Sequence, residues 1–113
     1  MNTVNARTAS TMQNPHGVKA SKLYDEPHGQ AMHIKLDPGE SLRRHITPVD
    51  VFFYVLEGQG TVEIGDEKED VSADTLVKSP AKIPHCWHNT GEAPLRVLVV
   101  KMPRQSEKTQ MVD

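Results

Sequence analysis

Cysteine is nearly absent from this chain: Cys86 is the one thiol in 113 residues. An internal disulfide is excluded, and a reducing compartment suits such a sequence. Aromatic residues are scarce at 4%, and hydrophobic residues reach only 36%. One domain is expected, and a domain this small favours a partner subunit, a metal or a closed barrel to stabilise it. Positive charge is not in surplus. Thirteen Lys and Arg stand against 15 Asp and Glu, for a net charge of −2. That leaves no electrostatic footprint for nucleic acid or an anionic membrane. No apolar run approaches the roughly 20 residues that span a bilayer. The N-terminus lacks the apolar stretch of a secretory signal. A cytoplasmic protein is the expectation. Helical periodicity, internal repeats and low-complexity tracts are missing as well.

What is present is a series of short extended segments broken by Gly, Pro and Asp. Residues 1–21 show no period and read as a flexible arm, residues 22–103 as the folded domain, and 104–113 as a polar tail. His16, in Pro15-His16-Gly17, reads as a solvated loop residue. Lys22 to Tyr24 reads as a short strand. Beyond it Met32, Ile34 and Leu36 face one way and His33 and Lys35 the other. That is a half-buried strand, closed by Pro38-Gly39, with His33 at a surface or interface. From Val51 both faces turn apolar: Val51, Phe53 and Val55 on one, Phe52, Tyr54 and Leu56 on the other. A strand with one solvated face needs only one apolar face. Two imply a cover, and a second copy of the chain is the simplest one, so a homodimer is expected. Glu67, Glu69 and Asp70 read as a solvated turn after the Gly65-Asp66 corner. Leu95 to Lys101 reads as the last strand. Short strands with such turns indicate an all-β sandwich or barrel.

Two histidine segments hold the candidate chemistry: HITPVDVFFYVLEGQG from His45 and SPAKIPHCWHN from Ser79. Alternation puts His45, Thr47, Val51, Phe53 and Val55 on one face. It puts His85, Trp87 and Asn89 together, with Cys86 and His88 on the opposite face. Cys86 reads as a packed thiol, because no base is placed to activate it. Arg43 and Arg44 read as a solvated strand edge, or as the mouth of a pocket for an anion.

The stretch PGESLRRHITPVDVFFYVLEGQGTVEIGDE resembles the first motif of the cupin superfamily, and ADTLVKSPAKIPHCWHN resembles the second. The resemblance runs from about Leu36 to Asn89 and implies an all-β fold, the cupin (RmlC-like) jelly-roll β-barrel. Such barrels are usually dimeric and hold a pocket inside. The family's first motif carries His-x-His and a Glu four residues on; these positions are His45, Thr47 and Val51 here. The ligand histidine of the second motif is His85. Its Gly-Asp is Ala73-Asp74, and the glycine after the loop proline is Lys82. The implied metal ligands are therefore His45 and His85. Asp50 is added as a carboxylate that a register shift at Pro48 would turn inward. The implied cofactor is one divalent transition metal, Fe, Mn, Zn, Ni or Cu. Thr47, Val51, Phe53, Trp87 and Asn89 are expected to line the pocket. Two functions follow as expectations. One is a small-molecule-binding domain; the alternative is a metal-dependent enzyme of dioxygenase or isomerase type. No catalytic residue is assigned.

Overall fold

The structure, a computed structural model, describes residues 1–106 and 108–112; Glu107 and Asp113 of the expected tail lie outside the described residues. The strands are β1 (Lys19–Glu26), β2 (Gly29–Leu36), β3 (Ser41–Ile46), β4 (Asp50–Glu57) and β5 (Gln59–Ile64). They continue as β6 (Glu67–Ser72), β7 (Leu76–Ser79), β8 (His85–His88), β9 (Leu95–Met102) and β10 (Gln110–Met111). Two five-stranded sheets result, in the orders β1-β2-β9-β4-β7 and β10-β3-β8-β5-β6. Apart from the β1–β2 and β5–β6 hairpins, consecutive strands cross between the sheets, so the fold is a jelly-roll barrel. Among the described residues no helix is long and apolar enough to cross a membrane.

Period-2 alternation decides what fills the barrel. Val51, Phe53 and Val55 of β4 and Leu95, Val97 and Val99 of β9 all point inward and are buried. Across from them the second sheet contributes Leu42, Val62 and Trp87. Phe53 and Trp87 meet edge to face at 5.3 Å, an arrangement that aromatic quadrupoles favour. β9 lies between β2 and β4; its inward residues are buried, and its outward Leu98 and Val100 are half-buried.

Several local expectations change. The acidic segment is a strand, β6, paired with β5 through a hairpin at Gly65-Asp66. It is an edge strand, and its exposed charges keep that edge from pairing with another chain. β1 is longer than Lys22–Tyr24 and pairs along most of β2. His33 does point away from the core, yet it is buried at 5% exposure. The N-terminal segment explains this. Met12 bridges Ala20, Arg7 pairs with Glu57 at 3.0 Å, and Ser21 Oγ donates to the Ala9 carbonyl, so the segment lies over that face. Gln110 and Met111 lie opposite Ile46 and His45, which adds β10 to the second sheet. Lys82 adopts φ 68°, the left-handed conformation that suits the glycine found there in the resembled motif.

Candidate functional site

His45 and His85 reach the same point from neighbouring strands. They are cross-strand partners in the β3–β8 ladder. Their Nε2 atoms lie 3.0 Å apart, and both residues are buried. The hydrogen bonds fix the tautomers. The Arg43 carbonyl accepts only, so His45 donates to it from Nδ1 at 2.6 Å. His45 Nε2 is then an acceptor, and His85 donates to it from its own Nε2. Ser79 Oγ donates to His85 Nδ1 at 2.6 Å, which completes a directed chain. Thr47 Oγ1 stands 3.2 Å from His85 Nε2. Both imidazoles are neutral. Burial, then the neighbouring His45, holds His85 down at about 3, and burial also lowers His45.

The pair floors a cavity of about 290 Å³. Met32, Ile34, Val51, Phe53 and Val99 give it apolar walls, and Lys22 and Lys101 bring amines. Of the residues expected there, Thr47, Val51 and Phe53 line it. Trp87 is 1% exposed and stands behind Phe53 in the core. Asn89 is a structural tie: Nδ2 donates to the carbonyls of Leu36 and Ala93, each at 2.9 Å. Asp50 does not join the histidines. It is exposed and accepts the Ala81 N–H at 2.8 Å, so Pro48 produces no inward shift.

His16 and Lys101 were not legible as cavity residues. Asn14 Oδ1 accepts the His16 N–H at 3.0 Å, and Arg43 donates to the Pro15 carbonyl at 2.7 Å. Together they hold the turn over the barrel mouth. The His16 ring lies 4.6 Å from that of His45, and its Nδ1 is buried without a partner. Burial, then His45, lowers its pKa to about 4. The only hint in the sequence was that Val18, just beyond the turn, is apolar. Arg43 spends its guanidinium on Pro15, at the mouth of the cavity.

As a metal site the floor is incomplete. It offers two imidazoles and a neutral hydroxyl, with Val51 in place of a carboxylate. The anchored Nδ1 atoms do match the outer-shell pattern of ligating histidines. A metal between the Nε2 atoms would need His85 to change tautomer, and would need further donors from solvent or a bound molecule.

On the opposite face of the second sheet, Glu63, Cys86 and His88 bring three donor atoms within 4.8 Å of one another. Burial first, then Glu63, raises the Cys86 thiol to about 11, so it is no nucleophile at neutral pH.

Known proteins agree with this architecture. Residues 32–101 match the family model described as Cupin domain. An uncharacterized protein of Methanocaldococcus jannaschii, MJ1618, is 33% identical over 73 residues. That match covers 64% of this chain and 58% of the relative, so the chain spans less than two thirds of the relative's length. The crystal structure of TT1209 from Thermus thermophilus superposes with a TM-score of 0.79 at 25% identity. It covers 92% of this chain and 99% of that one. The polyketide cyclase RemF from Streptomyces resistomycificus reaches a TM-score of 0.84 at 20% identity, over 100% of this chain and 86% of its own. The match across both histidine segments, on a barrel of this topology, makes the chain a member of the cupin domain family.

Proposed function

We propose that this cupin domain binds a small organic anion in its barrel cavity, with the His45–His85 pair as the polar floor. The charge of the lining carries this reading. Among the described residues the cavity draws on Lys22, Lys101 and three histidines, and on no carboxylate. Burial lowers the Lys101 pKa, and Lys22 acts in the same direction. Lys22 Nζ already pairs with Asp25 at 3.2 Å, whereas Lys101 Nζ donates to the neutral Gln105 Oε1 at 2.7 Å, so an anion beside Lys101 would offset the burial of its charge. The apolar walls would accept the rest of the molecule, while the imidazoles and Thr47 orient it. The test is thermal shift with matched pairs of small carboxylates and their amides. Carboxylates should raise Tm, and Lys101→Gln should remove the rise. Equal shifts from the amides, or no shift from any carboxylate, refute the reading.

A second reading places a divalent metal between His45 and His85 and makes the domain a metal-dependent enzyme of dioxygenase or isomerase type. The convergent Nε2 atoms and anchored Nδ1 atoms favour it. The protein would supply the two imidazoles and the Thr47 hydroxyl, and the substrate the remaining donors. Asp50 would contribute only by leaving Ala81. Elemental analysis of untagged Cys86→Ser protein, which lacks the thiol of the outer-face cluster, purified without chelator, beside the same protein carrying His45→Ala, decides it: about one metal per chain, lost on the His45 substitution, is required.

A homodimer belongs to the same proposal. Phe52 and Tyr54 point outward from β4, and Leu98 and Val100 from β9. Leu76 and Met102 nearby are 48% and 49% exposed. A second copy would cover this apolar sheet face. A cytoplasmic setting suits the free thiol of Cys86.

A further inference from the structure

The outer face of β8 carries donor atoms that the barrel cavity does not use. β5 and β8 run antiparallel with Glu63 opposite Cys86 and Thr61 opposite His88. Cys86 and His88 are two residues apart on one strand, so their side chains share a face with Glu63. His85 and Trp87, between and beside them, point into the barrel. The three donors form a tight triangle. His88 Nε2 lies 3.0 Å from Glu63 Oε2 and 3.5 Å from Cys86 Sγ, and Cys86 Sγ lies 3.3 Å from Glu63 Oε2.

Those lengths match one face of a small tetrahedron. A zinc ion at ~2.3 Å from sulfur and ~2.0–2.1 Å from nitrogen and oxygen sets donor–donor edges of about 3.3–3.6 Å. Each observed edge needs to open by a few tenths of an ångström at most. The His88 ring is also fixed from behind, as Ser41 Oγ meets its Nδ1 at 2.8 Å. Ser41 sits opposite His88 in the β3–β8 ladder, so the second sheet itself supplies this outer support. Access is open on one side. Cys86 is buried, while the Glu63 and His88 side chains are 29% and 39% exposed, which leaves room for a water as fourth ligand.

We propose that Glu63, Cys86 and His88 form a zinc-type metal site on the outer face of the second sheet, separate from the barrel cavity. Thiolate with imidazole and carboxylate selects zinc or cobalt(II) over magnesium or calcium. The charges balance: a divalent ion meets one thiolate and one carboxylate beside a neutral imidazole. In the metal-free protein the thiol donates its proton to Glu63. Glu63 only accepts, so His88 also donates to it, from Nε2. Metal binding sends the thiol proton to solvent and replaces the Sγ–H bond by a metal–sulfur bond, while the imidazole proton moves from Nε2 to Nδ1, where Ser41 Oγ accepts it and Nε2 is freed for the metal. The site is independent of the ligand that the cavity holds.

The probe is cobalt(II), titrated into the full-length, metal-free protein. The expected result is a thiolate-to-cobalt charge-transfer band in the near ultraviolet, saturating at one equivalent and bleached by added zinc. Cys86→Ser should abolish the band. His88→Gln should weaken binding at least tenfold, and Ser41→Ala, which keeps all three donors, by about tenfold. His45→Ala should leave the band intact, which separates this site from the cavity. Melting curves of each metal-free variant establish that it is folded. The absence of any charge-transfer band in the wild type overturns the proposal. So does a band that survives in folded Cys86→Ser or is unaffected by His88→Gln.

Discussion

Acidifying the metal-free protein from pH 7.5 to 4.5 should cost the fold about 3 kcal/mol through His85 alone. His85 is 2% exposed, and burial, then His45, lowers its pKa from 6.5 to about 3. The folded value is below the unfolded one, so between them the unfolded chain binds more protons. The stabilisation is fully present above 6.5 and is lost as pH falls toward about 3. Each unit below 6.5 removes about 1.4 kcal/mol, and pH 4.5 is two units down. Against a total of roughly 5–15 kcal/mol this is a large loss. Carboxylates, His16 and His45 also titrate, so the informative quantity is a difference between proteins. Urea unfolding, followed by Trp87 fluorescence with chelator present, gives the acid penalty for wild type and for His85→Gln. Glutamine keeps a polar group near Ser79 and Thr47 but cannot take up a proton. The variant will be less stable at pH 7.5, yet its acid penalty should be smaller by about 2–3 kcal/mol, with the m-value unchanged. Equal penalties in the two proteins would show that His85 is not held neutral by burial, and the account of the cavity floor would fail.

Three further outcomes follow from single contacts. Asn89→Ala strands the Leu36 and Ala93 carbonyls and the Gly91 N–H, all beside a residue that is 3% exposed. Calorimetry should find a loss of about 3 kcal/mol, and a loss under about 1 kcal/mol contradicts the tie. Lys82→Gly should stabilise by about 0.5–1 kcal/mol in urea unfolding. Relief of the φ 68° conformation exceeds the entropy that glycine adds to the unfolded chain, and destabilisation sinks this reading. Wild-type protein should run as a dimer in light scattering and Phe52→Glu as a folded monomer; a monomeric wild type removes the covered-face argument.

The barrel was legible because its evidence is local. The alternation in β4 and β9 names the inward residues of each strand without reference to any other. The parity of β8 likewise put Cys86 and His88 outside and His85 inside. What stayed hidden depends on residues remote in sequence. His33 is buried because the first residues of the chain lie across it, not because of its own strand. His16 reaches the cavity only because Asn14 and Arg43 hold its turn there. Lys101 reads as the polar end of a strand, and only the fold brings it to the cavity wall beside Lys22. Asp50 lies away from the histidines for a local reason. The Ala81 N–H donates to the carboxylate on the exposed side at 2.8 Å.

One irregularity decides how the cavity and the outer face coexist on β8. Leu42 lies opposite Trp87, and a regular ladder would set residue 44 opposite His85. Instead His45 takes that place, so Arg43 and Arg44 together face Cys86, which is a β-bulge. Strict alternation from inward Leu42 would have turned His45 outward, and the extra residue turns it back. The bulge also presents the Arg43 carbonyl that accepts from His45 Nδ1. That bond fixes the tautomer, which in turn makes His45 Nε2 the acceptor for His85. Counting forward from His45 to Val51, across the interruption at Thr47-Pro48, also turns His45 inward, and so reaches the right face without the bulge. The cavity floor thus rests on one inserted residue in β3. β8 needs no irregularity of its own to present His85 to the barrel and Cys86 and His88 to the opposite face.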